Sequence, residues 1–200
     1  MIVMPGNNCK GTVHYWAGRY GRLGHLYSPG DHARNPVAWL PYALDNGAFP
    51  CWTKGKPFDD EAFRRHVAHY AAQPQRPMWV LVPDVVTDRD ATLRSWDRWL
   101  PELTATGLPL AFAVQDGMRF RDVPDEAAVV FLGGSTDWKR QAIRPWCARF
   151  RRVHVGRINT GRWLWECHDA GAESCDGTGW FRGDKKQLDG LRQYLEGVRP

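Results

Sequence analysis

No stretch of this 200-residue chain approaches the roughly 18 consecutive apolar residues of a membrane span. The opening MIVMPGNNCKG also lacks an apolar core of the length a secretory signal needs. A soluble, cytoplasmic protein without a membrane partner is therefore expected. Cysteine is sparse and scattered: Cys9, Cys51, Cys147, Cys167 and Cys175 form no C-x-x-C pair, and their odd number suits neither a disulfide framework nor a zinc knuckle. His154 and His168 stand near Cys167 and Cys175 in sequence, but the spacing matches no common metal site, so no metal is expected. The first strand is not followed by G-x-G-x-x-G, which removes the usual signal for a dinucleotide, and no cofactor is expected. Nothing resembles a Ser-His-Asp triad, and there is no internal repeat or low-complexity tract.

What is present suffices for one packed domain spanning 1–200, since 43% of the residues are hydrophobic. Short apolar runs alternate with amphipathic segments, the pattern of strands interleaved with helices. Strands are predicted near Ile2 to Met4, Trp39 to Leu44, Trp79 to Pro83, Leu110 to Gln115, Ala128 to Leu132, Val153 to Gly156 and Glu173 to Cys175. Helices are predicted near Asp60 to Ala72, Asp88 to Thr104, Thr136 to Phe150, Thr160 to Ala170 and Asp184 to Gly197. Parallel strands joined by helices form either an open doubly wound sheet or a barrel. Seven strands without a dinucleotide fingerprint favour an α/β fold of the compact (β/α) TIM-barrel type, whole or short of a strand. The segment 7–36, rich in Gly, Tyr and Arg with little periodicity, reads as a long loop or lid.

The net charge of +5, from 27 basic and 22 acidic residues, is only a mild pointer to an anionic partner. Its distribution says more. Between Trp138 and Trp165 stand Lys139, Arg140, Arg144, Arg149, Arg151, Arg152, Arg157 and Arg162, with no Asp or Glu. That stretch is either a solvated helix face with its loop or a footprint for a phosphate backbone; seven of the eight are Arg, which pairs with phosphate through two parallel hydrogen bonds. Tryptophan is abundant, with eleven in the chain. Trp96 and Trp99 fall at helical core spacing with Leu100 and Leu103, whereas Trp52, Trp138 and Trp180 fall in or beside loops, where a flat ring could pack or stack on an unpaired base.

In (β/α) barrels the chemistry sits where strands end and loops begin. Those junctions here read LDNGAF with Asp45, VPDVV with Asp84, AVQDG with Gln115 and Asp116, FLGGST with Gly133 and Gly134, HVGRINTGR with Arg157 and Asn159, and ESCDGTGW with Asp176. Singly, each Asp has an ordinary use as a turn residue or helix cap. Together, three carboxylates after three apolar strands would meet on one rim, where like charges side by side are costly unless used. Two carboxylates flanking a reactive centre are what glycosidic cleavage needs, one to attack or shield an oxocarbenium-like carbon and one to move protons. Gly133-Gly134-Ser135-Thr136 ahead of a helix could cradle a phosphate or be a plain turn and N-cap.

The order of these motifs resembles the tRNA-guanine transglycosylase superfamily, and most closely its short phage and bacterial members that act as DNA 7-deazaguanine transglycosylases. The resemblance runs from about Ala43 to Asp184. LDNGAF is similar to the family's D-S-G-G-F segment, which implies Asp45 as the proton-transferring carboxylate. VPDVV with the following ATLRSWDRWL resembles the base-recognition strand and helix, implying that Asp84 reads the base. AVQDG resembles the strand end whose Gln contacts the base, here Gln115, and FLGGST the Gly-Gly loop that closes on it. HVGRINTGR and the later SCDG resemble the approach to the nucleophile, implying Asp176. The family's tRNA enzymes carry a Cys-x-Cys-x-x-Cys plus His zinc subdomain after the nucleophile; no such motif follows Asp176, which turns the expectation toward DNA.

The resemblance thus implies cleavage of the bond between a base and its sugar in DNA, either duplex with one base extruded or single-stranded, through a covalent Asp176–sugar species. Asp45 would handle protons, Asp84 and Gln115 with Gly133 and Gly134 would hold the base, and Lys139, Arg140, Arg149, Arg151, Arg152, Arg157 and Arg162 would hold the backbone. Water as acceptor makes the protein a DNA glycosylase that leaves an abasic site; a free base makes it a transglycosylase. The rivals are a noncatalytic nucleic-acid-binding barrel, a transglycosylase acting on RNA, and an unrelated barrel hydrolase of a small sugar.

Overall fold

The computed structural model describes residues 1–6, 11–30, 35–182 and 184–199. Eight strands, all parallel to their neighbours, run in sheet order β1, β8, β7, β6, β5, β4, β3, β2. They are β1 (Ile2–Pro5), β2 (His25–Tyr27), β3 (Tyr42–Leu44), β4 (Val80–Leu81), β5 (Leu110–Val114), β6 (Val129–Leu132), β7 (Val153–Val155) and β8 (Ser174–Gly177). The two edges meet. Val3 bridges to Leu23 and Gly6 to Leu26, and the Gly24 N–H donates to the Val3 carbonyl at 2.9 Å. The sheet therefore closes into a (β/α)8 barrel, and no strand is missing.

The additional strand is β2, inside the segment expected to be a loop. That segment also contains α1 (Gly11–Tyr20). Both were hard to read for physical reasons. Helix α1 begins with Gly11 and buries only Val13 and Ala17, too small a stripe to register as a period. Strand β2 has three residues, all buried, so it shows no alternation. The remaining expectation for that segment falls partly on 7–10 and 31–34, outside the described residues.

Helices α2 (Ala48–Thr53), α3 (Asp60–Ala71), α4 (Arg89–Thr104), α5 (Thr136–Arg149), α6 (Gly161–Ala170) and α7 (Lys185–Glu196) complete the layer around the sheet. Their starts are set by side-chain caps: Asp59, Asp88, Ser135, Thr160 and Asp184 each accept a hydrogen bond from a first-turn N–H of α3 to α7. Between β5 and β6 only a short 3-10 turn, Phe120–Asp122, intervenes.

Strand alternation sorts the residues into two cores. Val3, Leu44, Val80, Phe112, Val130, Leu132 and Val155 face outward onto Phe63, Trp96, Trp99, Ile143, Trp146 and Leu164 of the helices. Met4, Leu26, Ala43, Leu81, Ala111, Ala113 and Val129 face inward with Trp79 as the barrel filling. Continuing that inward parity by two residues at the C-terminal ends reaches Asp45, Gln115, Gly133, Gly156 and Asp176. The final inward layer is thus polar or bare where the layers below, His154 and Ser174 apart, are apolar.

The seam where β1 meets β2 tests the closure. A Cβ on Gly24 would stand 2.6 Å from the Pro41 carbonyl oxygen and 3.2 Å from the Ile2 side chain. Gly24→Ala is expected to cost about 1–3 kcal/mol by forcing these strands apart, read as a lowered melting temperature; an unchanged melt would show that the seam is looser than drawn.

Candidate functional site

A cavity of about 360 Å³ opens at the C-terminal ends of the strands, and its wall includes Ser28, Asp45, Asn46, Phe49, Asp84, Gln115, Phe131, Gly133, Gly134, Arg157, Asn159, Asp176 and Arg182. Every residue expected to do chemistry or hold a base is in this wall. The three carboxylates arrive from β3, β4 and β8, and each has a different setting.

Asp176 is the inward residue of β8 rather than of the loop after it. Its Oδ1 accepts from His154 Nε2 at 3.0 Å and from the Arg157 N–H at 3.1 Å. His154, fully buried on β7, has its other nitrogen 2.8 Å from Ser174 Oγ and its ring stacked on Phe131 at 4.8 Å. A neutral ring that donates from Nε2 accepts the Ser174 hydroxyl at Nδ1. Two donors thus pin Oδ1, while Oδ2 makes no hydrogen bond among the described residues and belongs to an acid that lines the cavity.

Asp45 takes a hydrogen bond on Oδ2 from Ser28 Oγ at 2.8 Å. Burial is the main influence on its acidity and, with the nearby Asp176 and Asp84 charges, outweighs the Ser28 bond, so the carboxyl is pushed up to about 6. Asp84 is clamped between two amides, with Oδ1 accepting from Asn46 Nδ2 at 2.7 Å and Oδ2 from Gln115 Nε2 at 2.6 Å. Burial raises its pKa, and these bonds together with the Arg157 charge partly offset the rise. The helix after β4 is capped by Asp88, which leaves Asp84 free of the capping role that its position also allowed.

The amides are themselves fixed. Asn46 also donates to the Val82 carbonyl at 3.0 Å and accepts the Ala48 N–H at 2.8 Å. Gln115 accepts the N–H groups of Thr87 and Gly134, each at 3.3 Å. The Gly133-Gly134 loop is therefore not a phosphate cradle. Its N–H groups are taken, that of Gly133 by the Val114 and Phe131 carbonyls and that of Gly134 by Gln115. The next one, Ser135 N–H, is held by Asp116 Oδ1 at 2.6 Å. The bareness of Gly133 has a steric use instead, since a Cβ there would crowd Val114 O at 3.1 Å and Gln115 Nε2 at 3.4 Å.

The basic stretch does not form one surface. Lys139 is buried, 1% exposed, and its Nζ donates to the Gly156 carbonyl at 2.5 Å, so it cannot meet a backbone phosphate. Arg149, Arg151 and Arg152 lie where α5 ends and β7 begins, which is the opposite end of the barrel from the cavity. Arg152 is committed there to Glu173 at 2.9 Å and the Met78 carbonyl. Arg140 and Arg162 begin α5 and α6 on the cavity side; Arg140 lies over the Trp163 ring and Arg162 pairs with Glu166. Only Arg157 enters the cavity wall, where its guanidinium donates to the Gly134 carbonyl and lies over Phe49. Of the tryptophans expected near loops, Trp180 is fully buried, Trp138 is partly buried against the core, and Trp52 is exposed beside Phe49.

Ser28, Asn46, His154, Ser174 and Arg182 were not anticipated as site residues. His154 and Ser174 carried a usable signal, polar residues at inward parity in buried strands. Asn46 was hidden by the turn reading of Asp45-Asn46-Gly47. His154 and His168 are bonded to protein groups, His168 to Tyr194. Among the described residues no group of three or more His, Cys, Asp or Glu is arranged to hold a metal, and no helix is long and apolar enough to cross a membrane.

No protein-family model matches the chain, and no curated protein matches it. Among solved structures it is similar to a chain of the Amycolatopsis orientalis BexX/CysO complex, with a TM-score of 0.56 and 16% identity over 99% of this chain and 92% of that one. A 3-hexulose-6-phosphate synthase is a weaker match, with a TM-score of 0.47 and 11% identity over 99% and 97% of the two chains. The likeness to the first is one of fold.

Proposed function

We propose that the protein cleaves the N-glycosidic bond of a base in DNA, with Asp176 as the nucleophile. The observation that carries this reading is the convergence of three acids with three different settings on one cavity wall. Asp176 has one oxygen pinned and the other without a hydrogen bond among the described residues, Asp45 is half-buried with its proton affinity raised, and Asp84 is held between two amides. The order of the strand-end motifs supports the same assignment, and a cavity of about 360 Å³ is of the size of one extruded nucleoside.

In this mechanism an Asp176 oxygen lone pair forms a bond to the anomeric carbon as the bond to the base nitrogen breaks, and its electron pair leaves with the base. Protonated Asp45 supplies the proton that the departing base takes up. The resulting carboxylate then removes a proton from water or from an incoming base, which attacks the same carbon and frees Asp176. Asp84 and Gln115 hold the base edge. The polynucleotide would follow the mouth of the cavity, where Arg157, Arg182, Phe49 and Trp52 offer cations and flat rings.

Asp176→Asn should abolish base release while DNA binding is largely kept, because the amide has the same shape and cannot form the ester. Incubation with DNAs and RNAs carrying different modified bases, followed by alkaline cleavage and mass analysis of freed bases, checks this. Release at the wild-type rate would remove Asp176 from the mechanism, and release from RNA alone would transfer the activity to that polymer.

The acid role of Asp45 has a pH signature. Activity should fall with a one-proton limb centred near 6, where the proton is lost. The same proton appears in stability: the folded pKa of about 6 exceeds the ordinary 3.8, so the stabilisation is complete below 3.8 and is lost as pH rises through about 6. Asp45→Asn should flatten that part of the stability curve; a curve identical to wild type would show an unshifted group.

Asp84→Ala should lose the preferred base by about ten- to a hundredfold, because Asn46, Gln115 and the base edge would each be left with an unmet partner. Nonspecific DNA affinity, dominated by phosphate, should change little. An unaltered ranking of bases in a folded variant would oppose the recognition role.

A further inference from the structure

Lys139 occupies a poor place for a cation. It lies in the first turns of α5, where the helix dipole disfavours positive charge, it is 1% exposed, and the Arg157 charge is close by. Burial is the largest of these influences and lowers its amine to about 8. A methionine would fill the same space without these penalties, so packing alone does not account for an amine there. Nor does Lys139 line the cavity, so it does not meet substrate.

The bond it makes is informative. Lys139 Nζ donates to the Gly156 carbonyl, and that carbonyl belongs to the same peptide group as the Arg157 N–H, which donates to Asp176 Oδ1. One flat peptide unit therefore connects a buried ammonium to the proposed nucleophile. The unit is held in an unusual conformation. Arg157 has φ of 59°, in the left-handed region that side chains with a Cβ disfavour. A Cβ on Gly156 would fall 2.8 Å from the Phe131 ring, and the Gly156 N–H is tied to the Leu132 carbonyl at 3.1 Å.

We propose that Lys139 is a positioning residue for Asp176, acting through the 156–157 peptide, which it orients and polarises so that the Arg157 N–H pins Oδ1 and leaves Oδ2 to the cavity. The inference rests on the reading of Asp176 as nucleophile. An ammonium on the carbonyl makes the opposite N–H a stronger donor, which tightens its hold on Oδ1. The charged and titratable groups facing Lys139 are Arg157 after β7, Asp176 on β8, Asp116 after β5 and Cys167 on α6. Those facing Asp176 also include His154 on β7, Asp45 on β3 and Cys175 beside it on β8.

The test uses the substrate-free protein and NMR signals of the Arg157 amide, the Asp176 carboxyl carbon and the Lys139 side chain. In the unmodified protein, raising the pH through about 8 should move the Arg157 amide and Asp176 carbon with the midpoint of Lys139 itself. In Lys139→Met the Arg157 amide signal should move as its bond to Oδ1 weakens, and base release should fall by roughly tenfold with the melting temperature nearly kept. Lys139→Gln, which keeps a neutral donor, should fall between the two. A Lys139 titration that leaves the Arg157 and Asp176 signals still overturns the proposal, even if neither variant folds, and so does a folded Met variant in which the Arg157 amide signal is unchanged. Because these signals are read without substrate, full base release by Asp176→Asn would sink the nucleophile while leaving the relay to stand or fall by itself.

Discussion

Closing a parallel sheet on itself forces every second residue of every strand into one narrow interior, and the rest of this structure follows from how that interior is filled. In its lower layers the filling is Met4, Leu26, Ala43, Leu81, Ala111 and Ala113 around Trp79, apolar groups that stabilise the barrel by burial. The inward sites of the last layer hold Asp45, Gln115, Asp176 and two glycines, which contribute little to such burial. The transition occurs within a single strand: β5 passes from Ala113 to Gln115, while β7 and β8 are already polar one layer lower, at His154 and Ser174. On β5 apolar filling and polar wall are thus separated by one step of two residues.

Acids brought together this way repel, and the wall shows how the repulsion is met. Asp84 is compensated by neutral amides and the Arg157 charge, and Asp176 by His154 and a backbone N–H; at Asp45 burial, with the neighbouring acids, outweighs the bonds from Ser28 and the Gly47 backbone, and its pKa rises to about 6. A carboxyl raised that far can carry a proton near neutrality. The amides that compensate Asp84 are anchored to backbone in turn, so the site rests on a network with few loose members.

Most of the barrel was legible in the chain because its longer helices are amphipathic and capped, and because β5 and β6 are bounded apolar runs. The strand-end acids were legible for the same reason, since Asp45, Asp84 and Asp176 each follow or end such a run. Strand β2 and helix α1 were not, since three buried residues have no period and Val13 with Ala17 makes a faint stripe. The basic stretch misled because contiguity in sequence is not contiguity in space: α5 carries its residues from one end of the barrel to the other. Lys139 and Arg149, ten positions apart, therefore fall in a buried site under the rim and at the far end. Ser28 and Asn46 were obscured by the turn chemistry that Asn, Ser and Gly share with functional use.

That redistribution changes how a polyanion would have to be held. With Lys139 buried, Arg152 paired with Glu173 and Arg162 paired with Glu166, much of the basic stretch is already engaged within the chain. Among the described residues the cations left at the cavity wall are Arg157 and Arg182; Phe49 of that wall and Trp52 beside it are exposed rings. Under the proposed reading, affinity would come from a few contacts concentrated at the mouth rather than from a long basic track. A short phosphate footprint gives a shallow dependence on salt, because the slope scales with the number of phosphates neutralised. Stacking on rings such as Phe49 and Trp52 is tolerant of sequence, because every base has a flat face. Under the same proposal such an arrangement would place discrimination in the cavity, with Asp84 and its two amides, and would leave the mouth to hold whatever strand delivers the base.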